Sequence, residues 1–351
     1  AGGNFESLVT TDTSTVTVVD TIDTTSVSLT AAPDLTEDGG NLTYTATLGS
    51  PVLAGDDPVV VSFTDLNGAA RSITITGGNA TGTYVATIPE ALYEDVYSEA
   101  AADITIATNV SVAGGNFEAL GTPSVGTIAL TDSIDNTNAT LTSVGSGDED
   151  NGSITYTVTL NNAPQADQLF SITLSNGQSA TITVASGALT GAITFGWGAG
   201  AIAGTQALTG YPNSDAYSEA PVDISVSTFT ASGAGGNFEQ LTPINSSTPV
   251  TIADTITPTT ITLSDVNGAE GTSHTITATV DHVVTGNDLV ITLSNGKEIT
   301  IAVGATSGTS AAFAIQSDDV YVDGDAYSVG ISGTAGGNFE SLVTTDTSTV
   351  T

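Results

Sequence analysis

The chain has 351 residues, of which 38 are acidic and two are basic (Arg71 and Lys297), so its formal net charge is −36. Nucleic acid and anionic membranes bind through clustered Lys and Arg, so this composition makes both poor partners and favours a cation. The chain is nevertheless 39% hydrophobic and only 11% charged, which is enough apolar material to bury cores and is not typical of disorder.

Cysteine is absent, which excludes disulfides and thiolate metal sites. Small extracellular domains often rely on disulfides for stiffness, so we expect bound Ca²⁺ to take that role here. No apolar run approaches the ~18–20 residues of a membrane span, and direct membrane insertion is therefore not expected.

A six-residue motif, Ala-Gly-Gly-Asn-Phe-Glu, starts at residues 1, 113, 234 and 335, at intervals of 112, 121 and 101 residues. Residues 1–17 and 335–351 are identical over 17 residues, which indicates recent duplication inside a longer array. Such repetition predicts a modular architecture. The predicted parts are the final strand of a preceding repeat at 1–19, repeat 1 at 20–131, repeat 2 at 132–253 and repeat 3 at 254–351.

Within each repeat the hydrophobic period is two, as in the segments 42–48, 154–160 and 274–280. Alternating β-branched residues predict half-buried strands. About seven strands are expected per repeat, and no convincing helix beyond a short turn near residues 90–94. In repeat 1 the strands are predicted at 26–31, 41–48, 58–64, 70–76, 81–88, 101–108 and 120–131.

An Asn-Gly pair recurs between the third and fourth strands of every repeat, at Asn67-Gly68, Asn176-Gly177 and Asn295-Gly296. A two-residue Asn-Gly loop favours a type I′ turn, because both of its positions need positive φ. The pattern predicts the same hairpin three times.

Seven short alternating strands in ~100 residues match an immunoglobulin-like β-sandwich. The Cys pair and shared Trp of antibody domains are missing, since Trp197 is the only tryptophan. The predicted fold is therefore all-β, a tandem array of three immunoglobulin-like domains in an elongated rod. Joints of only a few residues, such as 18–23, 131–135 and 253–257, predict a semi-rigid string.

Up-and-down strand order places the Gly-Gly-Asn-Phe-Glu loop at the entry end of each domain, beside the joint. The acidic loops lie at the exit end of each domain, and they include Glu94, Asp148 and Glu149. Carboxylates crowded at a joint repel each other unless a cation neutralises them, and Ca²⁺ accepts roughly six to eight oxygen ligands. The candidate calcium ligands are Asp20, Asp23, Glu37, Asp38, Asp95, Glu99, Glu118, Asp132, Asp135, Asp150, Asp215, Glu219, Glu239, Asp254 and Glu340.

The alternative for these loops is a set of plain solvated turns, since Asp favours turns in any case. Neither an EF-hand loop nor a Gly-Gly-x-Gly-x-Asp nonapeptide occurs. An enzyme is not expected, because His274 and His282 have no counterparts in the other repeats and no cysteine to act with. The paired acids Glu37/Asp38 and Glu149/Asp150 are expected on exposed turns rather than in a glycosidase cleft.

Thr-rich strands such as 153–160 present rows of hydroxyls that could bind ice or sugar. Thr alternating with aliphatic residues is also what the solvent face of a sandwich sheet looks like, and we favour that interpretation.

Four segments together carry a resemblance to a known family: 38–48, 291–301, 318–324 and the Gly-Gly-Asn-Phe-Glu motif. They resemble the tandem extender repeats of giant bacterial RTX adhesins, a family that includes biofilm adhesins and ice-adhesion proteins of marine bacteria. The resemblance implies type I secretion, retention at the outer membrane and calcium-rigidified domains that hold an adhesive tip away from the cell. Repeat 3 departs from the pattern at Thr257 and Val329, where repeat 2 has Asp135 and Glu219.

Expected partners are the neighbouring repeats of the same chain, and the fragment is expected to be a monomeric rod at the extracellular bacterial surface. Two alternatives remain open at this point. One is a ligand-binding module, for which 189–211 with Phe195 and Trp197 is the candidate. The other is a self-assembling fibre or surface-layer subunit in which residues 1–17 complete a neighbouring molecule.

Overall fold

The computed structural model describes residues 3–198, 201, 203–233, 235–322 and 324–351. The chain divides into two compact units, residues 1–135 and residues 136–351. Both are built from β-strands, and the 3-10 turn Glu90–Leu92 is the one helical element of the described ranges. No helix in this part of the chain is long and apolar enough to cross a membrane.

Repeat 1 forms a sandwich of two sheets. In the larger one, β2 and β4 pair antiparallel and β7 joins β4, while the smaller sheet has the order β6-β5-β9. The strands are β1 (Thr24–Thr25), β2 (Val27–Ala32), β3 (Leu35–Thr36), β4 (Gly39–Leu48), β5 (Val59–Thr64), β6 (Ala70–Ile75), β7 (Thr81–Pro89), β8 (Ala102–Thr105), β9 (Thr108–Gly114), β10 (Ala119–Leu120), β11 (Ser124–Val125) and β12 (Thr127–Thr131). The predicted sixth and seventh strands are therefore interrupted.

The alternation in β4 explains the core of this repeat. Leu42, Tyr44, Ala46 and Leu48 point inward and are at most 3% exposed, while the threonines between them face outward. Tyr44 satisfies its buried hydroxyl by donating to the Ile106 carbonyl at 3.0 Å and accepting from the Leu66 amide at 3.2 Å. An aromatic ring can therefore cross the core without leaving its polar end unpaired.

Residues 3–23 form no strand and their large apolar side chains are exposed; Phe5, for example, is 70% exposed. The identical sequence at 335–351 forms strands in repeat 3, where 341–343 pairs with 258–260 and 347–350 pairs with 327–330. The difference follows from the partners. An extended segment becomes a strand only where a sheet edge accepts its backbone hydrogen bonds.

Repeat 2 has the same sandwich, with sheets ordered β18-β17-β14-β13-β21 and β16-β15-β20. Its last long strand, β21, pairs parallel with its first, β13. The strands are β13 (Asn136–Gly147), β14 (Asn151–Leu160), β15 (Gln168–Leu174), β16 (Ser179–Val184), β17 (Thr190–Gly198), β18 (Gln206–Ala207), β19 (Val222–Ile224), β20 (Val226–Ser232), β21 (Gln240–Asn245) and β22 (Val250–Ile252).

Repeat 3 is the smallest sandwich, and its sheets are ordered β28-β25-β23-β31 and β27-β26-β30-β32. The parallel pairing of a late strand with the first recurs between β31 and β23. The strands are β23 (Pro258–Leu263), β24 (Ser273–His274), β25 (Thr277–Val280), β26 (Leu289–Leu293), β27 (Glu298–Ile301), β28 (Ser307–Thr309), β29 (Phe313–Ala314), β30 (Tyr327–Ala335), β31 (Ser341–Val343) and β32 (Thr347–Val350).

The three Asn-Gly hairpins are present, but the type I′ turn prediction is wrong. In repeat 3 the Gly296 amide donates to the Leu293 carbonyl and the Leu293 amide to the Lys297 carbonyl. Only the glycines, Gly68, Gly177 and Gly296, have positive φ there, at 75–83°. This is a three-residue loop, a type I turn followed by a left-handed residue that forms a bulge. One additional loop residue lets Asn stay in the ordinary right-handed region.

Candidate metal centres

Three short segments come together where repeats 2 and 3 meet inside the second unit. The first is the turn between β13 and β14, which carries Glu149, and the second is the joint 253–257. The joint is anchored to that turn because the Glu149 amide donates to the Ala253 carbonyl at 2.9 Å. The third segment is the Gly-Gly-Asn-Phe-Glu turn of repeat 3, which ends in Glu340. Each segment supplies one carboxylate to the same place.

Carboxylate oxygens of Glu149, Asp254 and Glu340 all lie within 4.8 Å of one another. Glu149 is 1% exposed, and the other two are half-buried. One oxygen of each group is already held: Thr255 Oγ1 donates to Glu149 at 2.7 Å and the Glu219 amide to Asp254 at 3.0 Å. The Thr257 amide donates to Glu340.

The second oxygen of each carboxylate is buried without any hydrogen-bond partner: Glu149 Oε2, Asp254 Oδ1 and Glu340 Oε1. Burial raises the pKa of Glu149, opposed by the hydrogen bond from Thr255, and the nearby Asp254 charge raises it further. The pKa of Glu340 is raised for the same reasons, with burial first. No Lys or Arg compensates, since the ion pairs among the described residues are Arg71–Asp65 and His282–Asp281.

The first unit contains a matching cluster at the exit end of repeat 1, where Glu37, Glu99 and Asp132 bring carboxylate oxygens within 4.8 Å. Its backbone frame repeats that of the second unit: the Glu37 amide donates to the Thr131 carbonyl at 3.1 Å, and the Glu99 amide to Asp132 at 3.2 Å. Glu37 is 6% exposed, and Glu37 Oε2 and Asp132 Oδ1 have no partner.

Burial raises the pKa of Glu37 to about 7, with further contributions from Asp132 and Glu99. The pKa of Glu99 is also raised, first by burial and then by Asp95 and Asp132.

A hard divalent cation fits these donors. Convergent carboxylates, three with unpartnered oxygens in the second unit and two in the first, offer the all-oxygen environment that Ca²⁺ and Mg²⁺ use, and no His or Cys accompanies them. Unpaired buried anions are otherwise costly. The remaining ligands of a calcium ion would be water or backbone oxygens, because three carboxylates do not fill its coordination shell.

Several predicted ligands border the clusters with an oxygen engaged in a local hydrogen bond. Asp215 and Asp95 each accept the amide two residues on, from Tyr217 at 2.8 Å and Tyr97 at 2.7 Å. Asp150 is exposed and accepts from Ser214 at 2.6 Å, and Glu219 accepts the Asn213 amide at 2.9 Å. These residues shape the loops around the clusters.

The remaining predicted ligands outside these clusters are Asp20, Asp23, Asp38, Glu118 and Asp135. Asp38 is exposed and accepts from Thr36 at 3.4 Å. Glu118 accepts the Asp23 amide at 2.5 Å, which is the same motif-to-joint bond as Glu340 to Thr257. Asp20, Asp23, Glu118 and Asp135 are exposed, and Glu239 is half-buried.

Glu149 is the most deeply buried carboxylate among the described residues of the second unit, yet the sequence-based set of candidate ligands contains its neighbour Asp150 instead. The signal that identifies it is internal alignment. Glu149 stands five residues before Ile154, as Glu37 stands five before Leu42, and both of these begin the alternating run. Repeat 3 has Ala269 at this position and Val329 at that of Glu219, and Val329 is buried in its core.

The histidines are held within repeat 3. His282 Nδ1 lies 3.0 Å from Thr259 Oγ1 and 3.1 Å from Asp281, while His274 Nε2 lies 2.8 Å from Thr272 Oγ1. The 189–211 segment falls partly outside the described residues. Its aromatic side chains belong to the core of repeat 2, since Phe195 is fully buried and Trp197 is 2% exposed with its Nε1 donating to the Asp148 carbonyl at 2.6 Å.

Comparison with known proteins gives one family. The model of the LapA domain matches three consecutive segments, residues 23–133, 135–255 and 257–351. No curated protein is significantly similar to the chain.

Among solved structures, the I9–I11 tandem of titin is 12% identical, covering 94% of this chain and 96% of that one with a TM-score of 0.18. The Escherichia coli alpha-2-macroglobulin activated by porcine elastase is 11% identical over 93% of this chain and 30% of that one, with a TM-score of 0.19. Dimeric latent PorU from Porphyromonas gingivalis is 9% identical, covering 93% of this chain and 34% of that one, with a TM-score of 0.16. Whole-chain superpositions at these scores support no conclusion about function.

Proposed function

Because the chain belongs to the LapA-domain family, we propose that it is a structural extender segment of a bacterial cell-surface adhesin, non-enzymatic, in which divalent cations stiffen the joints between repeats. Ca²⁺ is the cation proposed. The observation that carries the proposal is the convergence of Glu149, Asp254 and Glu340 from three separate segments at the junction of repeats 2 and 3.

The three carboxylates repel one another, and a bound cation would relieve that repulsion. Two ionised carboxylates 4.8 Å apart repel by about 3–4 kcal/mol at an effective dielectric constant of about 20. Three such groups without a cation push apart the turn of repeat 2, the joint and the turn of repeat 3. A bound Ca²⁺ would supply positive charge shared by all three segments, and separate domains would then behave as one stiff body.

The same logic extends to the cluster of Glu37, Glu99 and Asp132, which would hold a further ion at the end of repeat 1. Calcium is plentiful outside cells, where modules of this kind bind it at ~10⁻⁴–10⁻³ M. Export by a type I pathway, retention at the outer membrane and projection of an adhesive tip are part of the proposal and rest on the resemblance to RTX adhesin extenders. Low calcium before export would keep the joints soft.

The test combines calcium binding with a measurement of stiffness on the whole chain. Titration calorimetry with Ca²⁺ is expected to show binding that Glu149→Gln weakens and Asp150→Asn, its exposed neighbour, leaves nearly unchanged. Small-angle scattering should show a longer, narrower distance distribution in Ca²⁺ than in chelator. Absence of binding, or identical scattering profiles in the two conditions, would overturn the calcium proposal.

Oligomeric state separates the spacer from the fibre alternative. A spacer segment is expected to be monomeric, with a solution mass near the 34.8 kDa of the chain in calcium and in chelator. Concentration-dependent head-to-tail polymers in light scattering would instead support assembly through residues 1–17.

A further inference from the structure

The Gly-Gly-Asn-Phe-Glu turn of repeat 3 does more at the joint than present Glu340. Phe339 of this turn stacks on Tyr217, which belongs to the exit loop of repeat 2, with ring centroids 5.7 Å apart and planes inclined by 26°. The Tyr217 hydroxyl then donates to the Val283 carbonyl of repeat 3 at 2.7 Å. Tyr217 therefore contacts repeat 3 with both its ring and its hydroxyl.

The backbones on either side of the ring pair are also joined. The Ser218 amide donates to the Asn338 carbonyl at 3.1 Å, and the Glu340 amide donates to the Ala216 carbonyl at 3.2 Å. These two bonds make an antiparallel bridge between Tyr217 and Phe339, so a short piece of β-ladder crosses from one repeat to the next.

The turn is shaped for this contact. Gly337 and Asn338 both adopt left-handed backbone, at φ 92° and 53°, and a Cβ on Gly337 would lie 2.9 Å from the Phe339 ring. A side chain at Gly337 would therefore displace the ring that stacks on Tyr217. Asn is among the few non-glycine residues that tolerate the left-handed region, which suits Asn338 and the corresponding Asn237 of repeat 2 (φ 55°) to this position.

We infer that the joint between repeats 2 and 3 contains a second, metal-independent device: a neutral latch of Tyr217, Phe339 and their backbone bridge that keeps the two repeats docked when the cation is absent. All of its contacts are made by aromatic rings, a hydroxyl and peptide groups, none of which needs a cation. Aromatic pairs of this kind stabilise a contact beyond the burial of their surface. The latch fixes register, while the carboxylate cluster sets stiffness.

A consequence is that calcium loss loosens this joint without separating it. Carboxylate repulsion acts beside the latch, because Glu340 directly follows Phe339 and its amide is part of the bridge. The cation and the latch thus act on the same turn of repeat 3 from two sides. Only the role given to the carboxylates and their cation rests on the proposed function; the latch itself does not.

The test is a pulsed dipolar distance measurement across this joint in the full chain. Spin labels at Thr181→Cys and Thr300→Cys, both on exposed strand positions, are unique because the chain has no cysteine. In chelator the labelled protein should keep one distance peak, broader than in Ca²⁺. Tyr217→Ala in chelator should lose the peak, and in Ca²⁺ it should keep it. Tyr97→Ala, the same change in the corresponding loop of repeat 1, is the matched control and should leave the peak intact.

A chelated protein that already lacks a peak, or a Tyr217→Ala variant indistinguishable from its parent in chelator, overturns the latch. Equal peak widths in Ca²⁺ and chelator contradict the proposed calcium function instead, while the comparison of Tyr217→Ala with its parent still decides on the latch. Tyr217→Phe retains stacking and loses only the bond to Val283, so it should broaden the peak less than Tyr217→Ala. A thermal melt of each variant confirms that repeat 2 remains folded.

Discussion

Arg71 and Asp65 form a 2.8 Å ion pair at two inward-facing hairpin positions that are apolar in the other repeats. Counting from the Asn-Gly pair, Asp65 corresponds to Leu174 and Leu293, and Arg71 to Ala180 and Ile299. The Asp65 side chain is fully buried and also accepts the amides of Asn67 and Ala69. Arg71 lies over the Tyr84 ring at 5.3 Å. Repeat 1 has thus replaced a hydrophobic contact by a satisfied charge pair.

Breaking this pair and replacing it should have opposite outcomes. Arg71→Ala leaves the buried Asp65 carboxylate without its counterion and should lower the stability of the first unit, although by less than for a fully buried pair, because Arg71 is 36% exposed and two amides still donate to Asp65. The double variant Asp65→Leu/Arg71→Ala, which copies repeat 2, should recover most of this loss. Calorimetric unfolding of the full chain measures both. Lys297→Ala is the control for removing a basic residue, and a double variant as unstable as the single one would contradict the argument.

In chelator, the first unit should be more stable near about pH 5 than near about pH 8. The pKa of Glu37 in the folded state is about 7, above its ordinary value of 4.5, so the folded state binds more protons between these two values. Stability is therefore present below the ordinary pKa and is lost as pH rises through the folded pKa. Thermal unfolding across this range tests the sign. Glu37→Gln should flatten the dependence of the melting temperature on pH, and the control Asp38→Asn should not. A melting temperature that rises with pH in chelator would contradict the prediction.

The strand pattern was readable from sequence because each repeat alternates strictly along its central strand, as Leu42 to Leu48 does in β4. The sharing of carboxylates between repeats could be expected at the level of loops, since topology fixes which loops reach one end of a sandwich. Which carboxylate of an acidic turn is buried could not be predicted from the sequence. Asp38 and Glu37 are adjacent in one acidic turn, yet one is exposed and the other buried, because the Glu37 amide is tied to the Thr131 carbonyl. That bond is made with a segment almost a hundred residues away.

The type I′ prediction for the Asn-Gly hairpins is wrong for a local reason. An Asn-Gly pair suits two loop geometries, and they differ only in whether Asn takes positive φ. Asn295→Ala should lower the stability of repeat 3 by only about 0.5 kcal/mol, because it removes one exposed hydrogen bond, from the Lys297 amide to Asn295 Oδ1 at 3.1 Å, and relieves no positive φ. Gly296→Ala should cost about 1–2 kcal/mol, because Gly296 is left-handed although its surroundings are open. Chemical unfolding of the two variants measures this, and equal losses would favour the type I′ turn after all.

Trp197 should report cation binding at the joint between repeats 2 and 3. It is the only tryptophan, is 2% exposed, and its Nε1 donates to the carbonyl of Asp148, the residue before Glu149. Any cation that draws the Glu149 carboxylate toward Asp254 and Glu340 moves the peptide that holds the indole. A calcium titration followed by Trp emission should saturate together with calorimetric binding at this cluster. Glu340→Gln removes one ligand and should therefore weaken the response, while the indole that reports it stays untouched. Glu37→Gln, in the other unit, should leave the response unchanged. A response that survives Glu340→Gln in full, or disappears with Glu37→Gln, would place the cation elsewhere.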